Sequence, residues 1–243
     1  MKLITLFCAF LTSFAFAANV PDYEKEKRWA EHVESGLMDG DMVWVPNGDR
    51  EFMSILTESE SETKKAAIVV HGLGVHPDWS GVIQPLRVSL TTQGYHTLSI
   101  QMPVRPNGEP GEEYMGLLDL ADKRIDSAIK YLQDNGYDID LLVAHSFGTT
   151  MSSHYLANSK SNPIKRYVAV GMGVNSVKFL PNISIPIFDV YGTEDLESIM
   201  NSAGDRAKAS KHNASYTQKM IKGDHFFNGQ DALLNQTVAN WLK

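Results

Sequence analysis

Apolar residues run almost without interruption over positions 3–16, and nothing later in the chain repeats that pattern. From position 65 onward the chain alternates between short apolar runs and segments in which apolar residues recur every three or four positions. A run of four to eight apolar residues bounded by turn formers reads as a strand buried on both faces, and the 3.6-residue period reads as a helix lying over it. Strands are predicted at AAIVV (66–70), HTLSI (96–100), LLVAH (141–145), YVAVGM (167–172), PIFDVY (186–191) and YTQKMI (216–221). Helices are predicted at 82–93, 114–135, 151–157, 196–211 and 231–242. The second of these carries Leu118, Ala121, Ile125, Ala128, Ile129 and Leu132 on one face and stops at Gly136. Upstream, residues 21–40 are charged and partly helical in pattern, a surface lead-in. MVWV and EFMSILTES then flank a turn at 46–49 as a hairpin. Strands alternating with helices imply a mostly parallel sheet with helices on both faces.

At 243 residues, 43% apolar and 21% charged, the chain can bury the core of one α/β domain, placed at 18–243. The opening apolar run has Lys2 before it and the small-x-small site Ala15-Phe16-Ala17 at its end, the pattern of a secretory signal peptide over 1–17. It is shorter than the roughly 20 residues that span a bilayer. The only cysteine, Cys8, lies inside it, so the mature chain has neither disulfides nor a thiol nucleophile. The compartment that fits is a bacterial periplasm. Removing residues 1–17 takes away Lys2 and no acid, leaving 21 basic against 29 acidic side chains, a net charge of −8. No basic stripe is present, which argues against nucleic acid and anionic membrane surfaces as partners.

The chemistry is expected around LLVAHSFGTTM, where an apolar strand runs into a helical pattern at Ser146. A nucleophile on a sharp strand-to-helix turn needs small residues two positions before and after it, and Ala144 and Gly148 hold those places. Glycine is usual at the first; alanine is a small departure. The competing role for an isolated serine here is that of a helix cap. A serine hydroxyl needs a base and a carboxylate that orients the base, each placed beyond a later strand. PIFDVYGTEDL supplies Asp195 and KMIKGDHFF supplies His225, in the order serine, acid, histidine. Asp189 and Glu194 compete for the acid role, but the first lies within a strand and the second is one residue short of the turn. In AAIVVHGLGVHPDW, the small residues after the strand can aim a backbone N–H at the nucleophile. Leu73, with Gly74 as the alternative, and Phe147 are the expected oxyanion donors.

Taken together, HGLG, AHSFG, GTED and GDH in this order resemble the α/β-hydrolase superfamily over nearly the whole mature chain. HPDWSGVIQPLRVSLTTQGYHTLSIQMP is similar to a family of exported bacterial α/β-hydrolase-like proteins with no assigned function. The resemblance implies a three-layer fold with Ser146 as nucleophile, His225 as base and Asp195 as its orienter. It implies no substrate.

Other chemistries fit less well. His71, His76 and Asp78 offer metal-ligand types, but their spacing matches no metallohydrolase pattern and no second cluster completes them. Gly72-x-Gly74 is no dinucleotide-binding turn, because the third glycine position is Pro77. His145 neighbours Ser146 but points to the other side of its strand, so it is expected to pack rather than to act as base. Only 49 positions separate Ser146 from Asp195, which leaves little room for an inserted cap; 175–184 is the only slack. The proline-rich segment 102–113 is the loop best placed to shape the site. The expected activity is hydrolysis of a small-molecule or lipid-like acyl ester, thioester or amide without metal or cofactor. The rival is a non-catalytic binding protein on the same fold.

Overall fold

The computed structural model describes residues 20–243; the segment 1–17, expected to be a signal peptide, lies outside them. The eight strands are β1 (Asp41–Asn47), β2 (Arg50–Thr57), β3 (Lys65–Val70), β4 (His96–Ile100), β5 (Asp138–His145), β6 (Arg166–Val170), β7 (Ile187–Glu194) and β8 (Tyr216–Asp224). They form one sheet in the order β1-β2-β4-β3-β5-β6-β7-β8. The β1/β2 and β2/β4 pairs are antiparallel, and every pair from β4 to β8 is parallel.

Alternate residues of each central strand serve opposite cores, which is why those strands read as continuous apolar runs. In β3, Ala66, Ile68 and Val70 face α3 (Leu118–Asp134) and α4 (Phe147–Asn158). Ala67 and Val69 face α2 (Ile83–Thr91) and α7 (Asp231–Leu242). This is a three-layer α/β architecture with helices on both faces.

Several elements depart from the sequence expectation. The hairpin turn is only Gly48-Asp49, because Pro46 and Asn47 still pair with Glu51 and Arg50. Pro46 is tolerated there because β1 is an edge strand and needs no donor on its open side. The helix expected at 114–135 opens with a 3-10 turn, Gly111–Leu117, before α3. The one expected at 196–211 breaks at Ser202 into α5 (Glu197–Asn201) and α6 (Ala203–Ala209). Between β6 and β7, where no helix was expected, the chain makes two 3-10 turns, Val174–Ser176 and Leu180–Asn182.

The charged lead-in is more than a surface segment. It forms α1 (Tyr23–Gly36), capped by the Asp22 carboxylate on the Lys25 N–H at 2.9 Å. Ala30 and Val33 pack on Met53 and Ile55 of β2. Lys25 and Glu26 are buried too, which their charge concealed in the sequence. The Lys25 ammonium donates to the Arg105 carbonyl at 3.1 Å, and Arg124 of α3 donates to both Glu26 oxygens at 2.8 and 3.1 Å. Burial pushes the Glu26 carboxyl above its ordinary range despite the neighbouring Arg124. The pair therefore adds little net stability, but removing one partner strands the other in the interior. Glu26→Ala is expected to lower the unfolding free energy by about 3–5 kcal/mol, and Glu26→Leu with Arg124→Met by much less. Urea denaturation of the two variants measures the difference.

Candidate active site

β5 ends at His145 and α4 begins at Phe147, so the chain changes from strand to helix within one residue. That residue, Ser146, is held at φ +54°, ψ −127°, a conformation costing a non-glycine residue on the order of 1–3 kcal/mol. The cost is met by its surroundings. The Ser146 N–H donates to the Val170 carbonyl at 2.9 Å, and the Thr149 hydroxyl donates to the Ser146 carbonyl at 2.6 Å. The end of β3 presses against the turn so closely that a Cβ on Gly148 would sit 2.4 Å from the His71 carbonyl oxygen. Ala144 lies fully buried between Val70 and Ala169, where its methyl group is accommodated.

The other two residues arrive on strand ends at the same sheet edge. β7 extends three residues beyond the apolar run, so Asp195 follows its last residue directly, and His225 directly follows β8. His225 Nε2 lies 2.9 Å from Ser146 Oγ, and His225 Nδ1 lies 2.6 Å from Asp195 Oδ1. Asp195 also accepts from the N–H groups of Gly192 at 3.2 Å and Leu196 at 2.8 Å. Burial pushes its carboxyl up, but His225 and these two donors outweigh it and hold the pKa below the ordinary carboxylate value. An ionised carboxylate only accepts, so Nδ1 of His225 carries the proton and Nε2 is left to accept from the Ser146 hydroxyl. The competing acids are elsewhere. Asp189 is buried against Arg206, Tyr216 and Gln218 at 2.6–2.8 Å, and Glu194 is exposed.

His145 packs behind His225, its Nε2 2.9 Å from the His225 carbonyl and its ring 4.8 Å from the neighbouring imidazole. Burial and the adjacent His225 lower its pKa to about 4, so it stays neutral and donates through Nε2. His71 braces the loop after β3. It accepts the Met102 N–H at Nε2 (2.9 Å), which leaves Nδ1–H to donate to the Gly72 carbonyl at 2.8 Å. Its pKa falls to about 3, chiefly through burial.

That loop runs beside Ser146, since a Cβ on Gly72 would lie 3.1 Å from the Ser146 Cβ. Leu73 and Phe147, the expected oxyanion donors, line the same cavity as Ser146. The Leu73 N–H meets no backbone acceptor among the described residues. The Phe147 N–H belongs to the first turn of α4, which has no intrahelical partner. A contact that the sequence did not announce anchors this loop from outside. The Trp29 indole N–H of α1 donates to the Gly74 carbonyl at 3.3 Å, and nothing in the charged segment around Trp29 marks it.

His71, His76 and Asp78 do not converge. His71 holds the loop, His76 packs tilted against Trp29 and edge-on against Trp79, and Asp78 accepts from Arg87 at 3.0 Å. The 102–113 segment contributes Gly111 to the cavity wall, and Tyr114 just beyond it packs edge-on against Phe147 at 5.6 Å. The cavity over Ser146 measures about 470 Å³.

The fold is the α/β-hydrolase fold. Solved structures similar to the chain include an α/β serine hydrolase homologue from Coxiella burnetii, at 14% identity and TM-score 0.66 over 86% of this chain and 100% of that one. An esterase of Pyrococcus furiosus aligns at 16% identity and TM-score 0.67, covering 86% and 94%. Dienelactone hydrolase from Anabaena variabilis aligns at 19% identity and TM-score 0.65, covering 83% and 95%. No protein of curated function matches the sequence. A family profile described as protein of unknown function (DUF3530) matches residues 12–115 and 117–243, and the chain belongs to that family.

The buried neutral histidines make the fold sensitive to acid. Because His71 and His145 have folded pKa values near 3 and 4 against about 6.5 unfolded, the unfolded chain binds more protons below pH 6.5. Stability is therefore full above pH 6.5 and is lost on acidification towards those lower values. The slope approaches about 1.4 kcal/mol per pH unit for each histidine. Urea titrations between pH 7 and 4.5 are expected to show this fall, and His145→Gln to make it shallower.

Proposed function

We propose that this protein is a serine hydrolase that cleaves an acyl ester, or the related thioester or amide, through an acyl-enzyme on Ser146. The observation that carries this reading is the continuous chain Ser146 Oγ to His225 Nε2 at 2.9 Å and His225 Nδ1 to Asp195 at 2.6 Å. His225 takes the proton of Ser146 as Oγ attacks the acyl carbonyl. The developing imidazolium is stabilised by Asp195, whose carboxyl is held ionised. The tetrahedral oxyanion forms beside the N–H groups of Leu73 and Phe147, each donor of this kind contributing on the order of 3 kcal/mol. His225 then protonates the leaving group, and water attacks the acyl-enzyme by the same route in reverse. No step calls on a metal or an organic cofactor.

The strained Ser146 backbone supports this reading over that of a capping serine, for a cap needs no positive φ. Ala144, the one departure that favoured a non-catalytic binding protein, fits its place without displacement. The apolar run and small-x-small site at 1–17 support export, with a bacterial periplasm as the compartment.

A fluorophosphonate probe reports an activated serine without knowledge of the substrate. It is expected to label folded wild-type protein at Ser146, to leave Ser146→Ala unlabelled, and to label Asp195→Asn far more slowly. Ester turnover in Asp195→Asn is expected to fall by roughly 10³–10⁴-fold, because the imidazole loses its orienting acceptor. Folded wild-type protein that takes no label overturns the hydrolase reading in favour of a binding role.

A further inference from the structure

Nine large apolar side chains stand exposed among the described residues, and four of them, Leu73, Val174, Leu196 and Phe226, line the one cavity that contains Ser146. They are 37%, 51%, 52% and 41% exposed, and each follows a different strand: β3, β6, β7 and β8. Four loops that converge with the same chemistry at one mouth form a built surface, whereas scattered single apolar residues need no explanation. Val75, Trp79 and Ile199 continue the apolar wall inward. No Lys, Arg, Asp or Glu lines the cavity, whose only ionisable residues are His145 and His225. On the loops beside the mouth, exposed Glu194 and Glu197 flank Leu196, Glu112 and Glu113 follow the cavity residue Gly111, with Glu113 paired to Arg105 at 3.4 Å, and exposed Lys178 follows Asn175.

We infer that this mouth is a subsite for the linear aliphatic chain of the acyl group, with Leu73, Val174, Leu196 and Phe226 as its outer walls. The inference rests on the hydrolase reading and names the substrate class for the same site. The occupant follows from the position of Ser146 at the floor. Whatever fills the cavity must present a carbonyl to Oγ, and the group next to that carbonyl lies against these side chains. An aliphatic chain is the occupant that covers half-exposed leucine, valine and phenylalanine, and the other polar side chains of the lining, Thr150, Asn175 and Ser198, carry no charge. A chain ending in a carboxylate would lose its hydration against walls that carry no Lys or Arg. The chain can come from a soluble ester or from a lipid aggregate; the subsite acts on single chains, so it requires no surface.

The test is kcat/KM for p-nitrophenyl esters from acetate to palmitate, kept below their aggregation concentrations. Each added methylene is expected to raise it about two- to fourfold, fourfold being the ~0.8 kcal/mol of a fully buried methylene. The climb stops where the chain outgrows the cavity. An ester of equal length ending in a carboxylate is expected to be slower by about tenfold or more. Val174→Asn and Leu196→Asn should each reduce the octanoate-to-acetate ratio by about threefold or more. Leu196 occupies the N-cap position of α5, a place where asparagine is favoured, so that variant retains the local fold. A flat profile in protein that the fluorophosphonate probe labels overturns the subsite and leaves the hydrolase reading standing. Absence of labelling overturns the hydrolase reading itself. Activity that appears only above the aggregation concentration overturns the subsite in favour of docking on a lipid surface.

Discussion

The constraint on which the site depends is the contact between the end of β3 and the first turn of α4. There Gly148 lies so near the His71 carbonyl that no side chain fits between them. This approach fixes the path of two segments at once. It forces the chain from strand to helix within one residue, which lifts Ser146 into positive φ, and it brings the Gly72-Leu73-Gly74 loop alongside the serine. His71 belongs to the same device, because its neutral ring ties the Gly72 carbonyl to the β4 end at Met102. Ser146 and the candidate oxyanion donors are therefore parts of one packed junction. A disturbance to either is felt by the other.

The parallel core was legible because strands buried on both faces leave continuous apolar runs, as in LLVAH and AAIVV, and no competing pattern masks them. The order of Ser146, Asp195 and His225 was legible for a related reason: each stands just past such a run, and a parallel sheet delivers all those ends to one edge. What escaped notice was held by pairing rather than by periodicity. Lys25 and Glu26 look like surface residues until Arg105 and Arg124, about eighty and a hundred positions later, are brought beside them. Trp29 carried no local mark for the same reason, since its acceptor is a backbone carbonyl 45 positions away.

The polar interior is divided by task. Near Ser146 the buried histidines are kept neutral by burial, so that each has one nitrogen to donate and one to accept, and their directions are fixed by the backbone groups they meet. Farther away, under β7, the fully buried Asp189 is matched by Arg206, Tyr216 and Gln218, which tie α6 and β8 to the strand that delivers Asp195. One network orients protons and the other orients strands. Neither could exchange its residues with the other without losing its geometry.

The spacing of the three central residues along the chain also bears on how the molecule comes to be made. Ser146 and His225 are 79 positions apart, and Asp195 and His225 are 30 apart, with β8 the last strand before the terminal helix. Contacts at such separation close late, because the loop entropy of bringing the ends together is offset only when the intervening strands have docked. A nascent chain that has laid down β1 through β6 includes Ser146 but not yet the imidazole that reaches it. The hydrogen-bonded chain from Ser146 through His225 to Asp195 is thus completed only when the final strand is in place, and a partly folded copy lacks it.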